Sequence, residues 1–193
     1  MRVLTIQRKG NGLIICHGNG DPSIKIDISV EEDELNTNTV LIYTKKADAI
    51  QKLKSQKVSG PVLVPEIWHL EERYVIPVDS TWYLGEVFEI QLIANEESLI
   101  PVIFHNPTRI LLAFITEQPP IVKLDAFFDI VITRLRYDEL FKLSEELFFD
   151  ARYVLSFKEE RKENYLKLEE GEKISFSRHL TDVVILRTKY LKD

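Results

Sequence analysis

The sequence predicts an α+β, β-dominated fold: an antiparallel β-sandwich or open barrel with two flanking helices. Three observations predict it. From Pro61 to Leu124, apolar runs of strand length recur, with prolines at 65, 77, 101, 107, 119 and 120 near their ends. Prolines so placed punctuate strands or sit on edges, because a central ladder has no place for a residue without an N–H. Within that block the run LIPVIFHNPTRILLAFI sets two apolar stretches, Leu99–Phe104 and Ile110–Ile115, on either side of His105-Asn106-Pro107-Thr108-Arg109. That is the pattern of two buried strands and a sharp turn. Helical spacing of apolar residues is clearest in Lys45–Lys57 and Asp138–Phe149.

Taken in order, Val3–Ile6 and Leu13–Cys16 are strands flanking Gly10-Asn11-Gly12, a hairpin signal because Asn and Gly enter positive φ cheaply. Gly18-Asn19-Gly20-Asp21-Pro22 is a second turn, and Ile24–Val30 alternates apolar and polar residues like a half-buried strand. Glu31-Glu32-Asp33-Glu34 and Asn36–Thr39 read as a solvated loop before a strand at Val40–Tyr43. The simplest topology for this region is an antiparallel meander. Lys45–Lys57 then places Ala47, Ile50 and Leu53 on one side of a helix and five lysines around the rest, and Ser59-Gly60-Pro61 ends it.

Expected strands in the central block are Val62–Val64, Arg73–Val78, Glu86–Ala94, Leu99–Phe104, Ile110–Thr116 and Ile121–Leu124, while Asp125–Thr133 fits either strand or helix. Asp138–Phe149 reads as a helix with Asp138 as N-cap and Leu140, Phe141, Leu143, Leu147 and Phe148 as its apolar stripe. Arg152–Phe157, Tyr165–Leu168, Lys173–Ser177 and Val183–Thr188 close the chain as strands, with Glu169-Glu170-Gly171-Glu172 as a hairpin turn. No internal repeat is visible in the sequence.

The 193 residues are expected to form a single domain, 1–193. A subdomain joint is placed near 60–65, between a β-meander plus basic helix (1–60) and a β core plus helix (61–193). The composition, 45% apolar and 29% charged, is that of a globular chain, and the net charge of −6 argues against nucleic-acid binding by the whole surface. One cysteine, Cys16, excludes an internal disulfide and a Cys-rich zinc site and fits a reducing cytoplasm. The start MRVLTIQRKG lacks the features of a leader, and charge and proline interrupt Leu99–Ile115 too often for a membrane span. Few Met, Cys and Gln beside many Lys, Glu and Ile resemble the bias of proteins from hot environments.

Motifs that carry chemistry are scarce. No GxGxxG or Walker-type phosphate loop is present, and Gly18-Asn19-Gly20 leads into a strand, where no helix N-terminus can receive a phosphate. No cofactor is therefore expected. The four histidines, His17, His69, His105 and His179, form no HxH, HxxxH or HExxH pair. His69 with Glu71 reads as a surface strand, so no metal is expected. Cys16 ends an apolar run as a core residue would, no GxSxG elbow occurs, and no catalytic residue is assigned.

One polar corner stands out. His105, Asn106 and Arg109 are the candidate binding residues: a titratable ring, an amide and a guanidinium on a rigid loop above a packed sheet. Trp68, Trp82 and Tyr83 read as core aromatics. The leading expectation is a non-enzymatic protein-binding or interaction module, an accessory subunit of a larger assembly, with a protein partner or self-association. The first alternative is a small-ligand-binding protein or enzyme with a pocket near His105, Asn106 and Arg109. The second is a nucleic-acid-associated protein using the lysines of Lys45–Lys57, although that helix reads more simply as a solvated face. No membrane partner is expected.

Overall fold

The computed structural model describes residues 2–28, 38–55, 58, 60–177 and 186–188. The expected acidic loop at Glu31–Glu34, the end of the strand expected to reach Val30, the end of the basic helix at Lys57, and positions 183–185 lie outside the described residues.

The first part of the chain runs β1 (Val3–Lys9), β2 (Gly12–His17), β3 (Ser23–Ile26), β4 (Thr39–Ile42), α1 (Lys46–Lys54), β5 (Val62–Pro65) and β6 (Val75–Val78). The edge strand β7 (Thr81–Leu84) then leads into β8 (Phe88–Ala94), β9 (Leu99–His105), β10 (Ile110–Ile115), β11 (Ala126–Thr133), α2 (Tyr137–Leu147), β12 (Phe149–Ser156) and β13 (Tyr165–Lys167). Last come β14 (Lys173–Ser177) and β15 (Leu186–Thr188). The strands form two sheets, ordered β15-β14-β1-β2-β3-β4-β5-β6 and β13-β12-β11-β10-β9-β8-β7.

The α+β, strand-rich class with two helices holds, while the antiparallel expectation is corrected. Both sheets are mixed. In the first, β1-β2-β3 pair antiparallel and β3-β4-β5-β6 pair parallel. In the second, β7-β8-β9-β10 are antiparallel and β10-β11-β12-β13 parallel. The cause is connection length. Tight turns return the chain antiparallel, whereas α1, α2 and the longer connections carry it across to a parallel neighbour. The sheets do not close into a barrel.

A repeat absent from the sequence emerges in the topology. The path β1-β2-β3-β4-α1-β5-β6 has the same order of antiparallel and parallel pairings as β8-β9-β10-β11-α2-β12-β13. The sheets also explain a second correction. Glu169–Glu172 is a turn, with the Glu172 amide bonded to the Glu169 carbonyl at 2.9 Å. It joins β13 of one sheet to β14 of the other, and so it is a crossover and not a hairpin.

Period-2 alternation divides sheet two between two cores. Leu112 and Phe114 of β10 and Ile130 and Ile132 of β11 join Leu4, Ile6, Leu13 and Ile15 of sheet one in a single buried cluster. Their neighbours Ala113, Ile115 and Val131 point the other way, into a second cluster with Leu140 and Leu147 of α2. Successive side chains of a strand face opposite sides, so a strand between two cores reads as a continuous apolar run.

Local chemistry sets the element ends. Gly12 has no room for a side chain: a Cβ there would stand 2.4 Å from the carbonyl oxygens of Ile26 and Asp27. Helix α2 starts earlier than the Asp138 cap expected. The Arg136 and Tyr137 amides find carboxylates at Glu139 (3.1 Å) and Glu159 (2.8 Å), which satisfies donors the first turn leaves free. The strand expected at Ile121–Leu124 does not form, because Pro119-Pro120 removes two donors and Ile121 is 93% exposed. No described helix is long and apolar enough to cross a membrane.

Candidate functional site

The structure separates the three residues picked from the sequence. His105 ends β9 and is wholly buried, its ring against Phe88 and His17 at centroid distances of 5.1 and 5.2 Å. Both of its nitrogens are taken. Nε2 shares a hydrogen bond with His17 Nδ1 at 2.9 Å, and Nδ1 shares one with Thr108 Oγ1 at 2.6 Å. Burial, with His17 alongside, lowers its pKa to about 3. The ring is therefore neutral and offers no lone pair or proton to an outside ligand. Asn106 and Arg109 lie outside it. The Asn106 amide nitrogen donates to the Glu86 carbonyl at 3.3 Å, and the exposed Arg109, at φ 63°, lies over Phe104 at 5.4 Å.

The basic helix is described over Lys46–Lys54. It begins at Lys46, with Lys45 as its N-cap, and Ala49 is its one buried residue. Trp68 is core, as expected, with its indole N–H on the Asn95 carbonyl at 2.8 Å, while Tyr83 is 61% exposed.

At the far end of β2 and β9 from the histidines, a charged cluster ties the sheets together. Asp27, at φ 53°, accepts hydrogen bonds from the amide and hydroxyl of Thr44 and pairs with Arg134 Nη2 at 3.2 Å. Arg134 also meets Glu117 Oε2 at 2.9 Å, donates to the Asn11 carbonyl and lies over Phe114 at 5.2 Å. Burial pushes the Asp27 carboxyl up despite Thr44 and Arg134. Glu117 shifts down: burial works against the shift, and its hydrogen bond to its own backbone, Arg134 and Lys45 outweigh it. Among the described residues, the one buried side-chain polar atom near this cluster without a hydrogen-bond partner is the Thr116 hydroxyl.

A cavity of about 200 Å³ lies between α2, β12 and β13. Aromatic rings from Tyr137, Phe141, Phe149 and Tyr165 make its apolar wall, and Arg152, Lys162 and Asp150 bring charge to it. Of the three buried side-chain polar atoms without a hydrogen-bond partner among the described residues, two belong to this lining: Arg152 Nε and Tyr165 Oη. The Arg152 guanidinium has the Phe127 face at 5.9 Å but no carboxylate in ion-pair range among the described residues. Burial raises the Tyr165 phenol above its ordinary value against the opposing pull of the nearby Ser156 hydroxyl, so it stays protonated and a donor. Sequence reasoning missed this site. Arg152 and Tyr165 each sit in a short strand, and nothing local marks either as lacking a partner.

No family model matches the sequence, and neither does any curated protein. Among solved structures, a crystal structure from Thermotoga maritima described as "a putative zn-dependent hydrolase of the metallo-beta-lactamase superfamily" is similar over 86% of this chain and 82% of that one. The identity is 10% and the TM-score 0.46. At those values neither metal nor reaction transfers to this chain, and no three His, Cys, Asp or Glu among the described residues gather where they could hold a metal ion. The expectation of a non-enzymatic protein-binding module is corrected at this point. The small-ligand alternative takes its place, moved from the His105, Asn106 and Arg109 corner to the lined cavity beside α2.

Proposed function

We propose that the protein binds a small organic ligand in the cavity between α2, β12 and β13. One observation carries this reading: the buried Arg152 Nε has no partner, and the buried Tyr165 Oη, which falls short of a full hydrogen bond to its neighbour Ser156, belongs to the same cavity lining. A buried polar group without a partner costs about 1–3 kcal/mol. Two in one lined space are accounted for when a molecule from outside the chain supplies what they lack. The volume of about 200 Å³ suits a ligand the size of one aromatic ring with a small substituent, since engineered apolar cavities of roughly 150 Å³ take up benzene.

A thermal-shift and ligand-observed NMR screen of single-ring compounds tests this against wild type and Ser144→Leu. Ser144 lines the cavity from α2, and leucine narrows the space at no cost in helix propensity. Binding to wild type that disappears in Ser144→Leu is the expected result. Binding that is the same in both proteins places the ligand elsewhere and ends the proposal.

A further inference from the structure

We infer that the ligand is a single-ring aromatic carboxylate, its ring against the aromatic wall and its carboxylate on Arg152; this rests on reading the α2–β12–β13 cavity as a ligand site. The charge pattern of the lining is the ground for it. Arg152 and Lys162 face one carboxylate, Asp150, whose Oδ1 already accepts the Ala151 amide at 2.8 Å. Arg152 has no ion-pair partner among the described residues, and the Phe127 ring lies 5.9 Å from its guanidinium. A cationic excess here runs against a chain whose net charge is −6. A half-buried arginine whose Nε–H is buried without a partner is a donor suited to a carboxylate, because its planar fork matches that anion and charge-assisted bonds are the stronger kind.

The remaining lining fits the other half of such a molecule. Tyr137 stacks on Phe141 at 6.0 Å with 23° between planes and meets Tyr165 edge-on at 5.6 Å, so rings of both orientations are already in place around the space. Arg161 covers the Tyr137 ring at 4.0 Å. An aromatic body continues that arrangement, with offset or edge contacts available to it. A phosphate without an apolar body would leave this wall unused.

Three isosteric probes decide the matter by calorimetry or ligand-observed NMR: phenylacetate, phenylacetamide and phenethylamine, with inorganic phosphate as a fourth. Phenylacetate is expected to bind wild type about tenfold or more tighter than the amide, with phenethylamine and phosphate weakest. Arg152→Met keeps the apolar stem and is expected to bind acid and amide alike, while Arg152→Lys recovers part of the preference for the acid. Acid and amide binding equally to wild type overturns the anionic assignment and leaves the cavity reading standing. Phosphate binding as well as phenylacetate overturns the aromatic half. If no aromatic probe binds, or Ser144→Leu binds them unchanged, the cavity reading falls and this inference with it.

Discussion

The two halves of the molecule follow one path, and they meet each other at equivalent places. His17 closes β2 and His105 closes β9, the second strand of each half, and these two rings share a hydrogen bond. At the other end the pairing is reciprocal. The carboxylate after the third strand of each half meets the cation after the fourth strand of the other: Asp27 with Arg134, and Glu117 with Lys45 at 3.5 Å. The path is alike, but the environment is not. Asp27 and Arg134 side chains are 10% and 9% exposed, against 47% and 30% for Glu117 and Lys45. The helix-side cavities differ in the same way. Beside α1, Leu53, Lys54, Glu72 and Arg73 line a space with no orphaned buried polar atom among the described residues, whereas the one beside α2 has two. Topology decides which residues meet, and burial decides what each meeting is worth.

The sharpest way to break this comparison is at the buried pair. Arg134→Met leaves Asp27 buried beside Thr44 without its cation and is expected to cost about 3–5 kcal/mol. Urea or thermal unfolding measures it. Adding Asp27→Asn in the same chain removes the stranded charge and should return part of the loss, because the amide still accepts from the Thr44 amide. A loss under about 1 kcal/mol for Arg134→Met would put the buried pair on a par with a surface one and erase the difference between the halves.

The histidine end gives a smaller effect, read against pH. His105 has a folded pKa of about 3 against 6.5 for the free side chain. Below pH 6.5 the unfolded chain therefore takes up a proton that the folded chain refuses. Stability present above pH 6.5 is lost as pH falls from there toward about 3, by up to about 1.4 kcal/mol per pH unit. Asp27 acts in the opposite sense: its raised pKa favours the folded chain at low pH and loses that contribution as pH rises through it. Comparing wild type with His105→Gln isolates the imidazole, since Asp27 is common to both. The variant should show a shallower fall in unfolding free energy between pH 6.5 and 5, and parallel curves would sink the assignment.

Much of the strand content was legible in the sequence, because alternation and strand-length runs report burial directly. Leu99–Phe104 and Ile110–Ile115 pair as β9 and β10, antiparallel, with Ile110 opposite His105. Parallel order was not legible, since it depends on where the chain goes after a helix or a long loop. The internal repeat was hidden for a related reason: two segments share a path without sharing residues. In the sequence His105 reads as part of an exposed corner, yet its partner His17 lies 88 positions away, and no local pattern reveals a ring turned inward to meet it. Arg152 and Tyr165 escaped notice because lacking a partner is a property of the folded chain alone.

The smallest effect is expected where the symmetry is closest to the surface. Lys45→Met removes the cation equivalent to Arg134 and leaves Glu117 with Arg134 at 2.9 Å, so the remaining carboxylate is still paired and still reaches water. The methionine stem keeps the packing of the lysine chain, and what is lost is one ion pair between side chains that are 30% and 47% exposed. Such pairs contribute about 0.2–1 kcal/mol and weaken with salt. Unfolding in low and high salt should therefore show a difference between wild type and Lys45→Met below about 1 kcal/mol that shrinks further as salt is raised. A loss approaching that of Arg134→Met would mean that reciprocal position in the fold, and not burial, sets the strength of these ties.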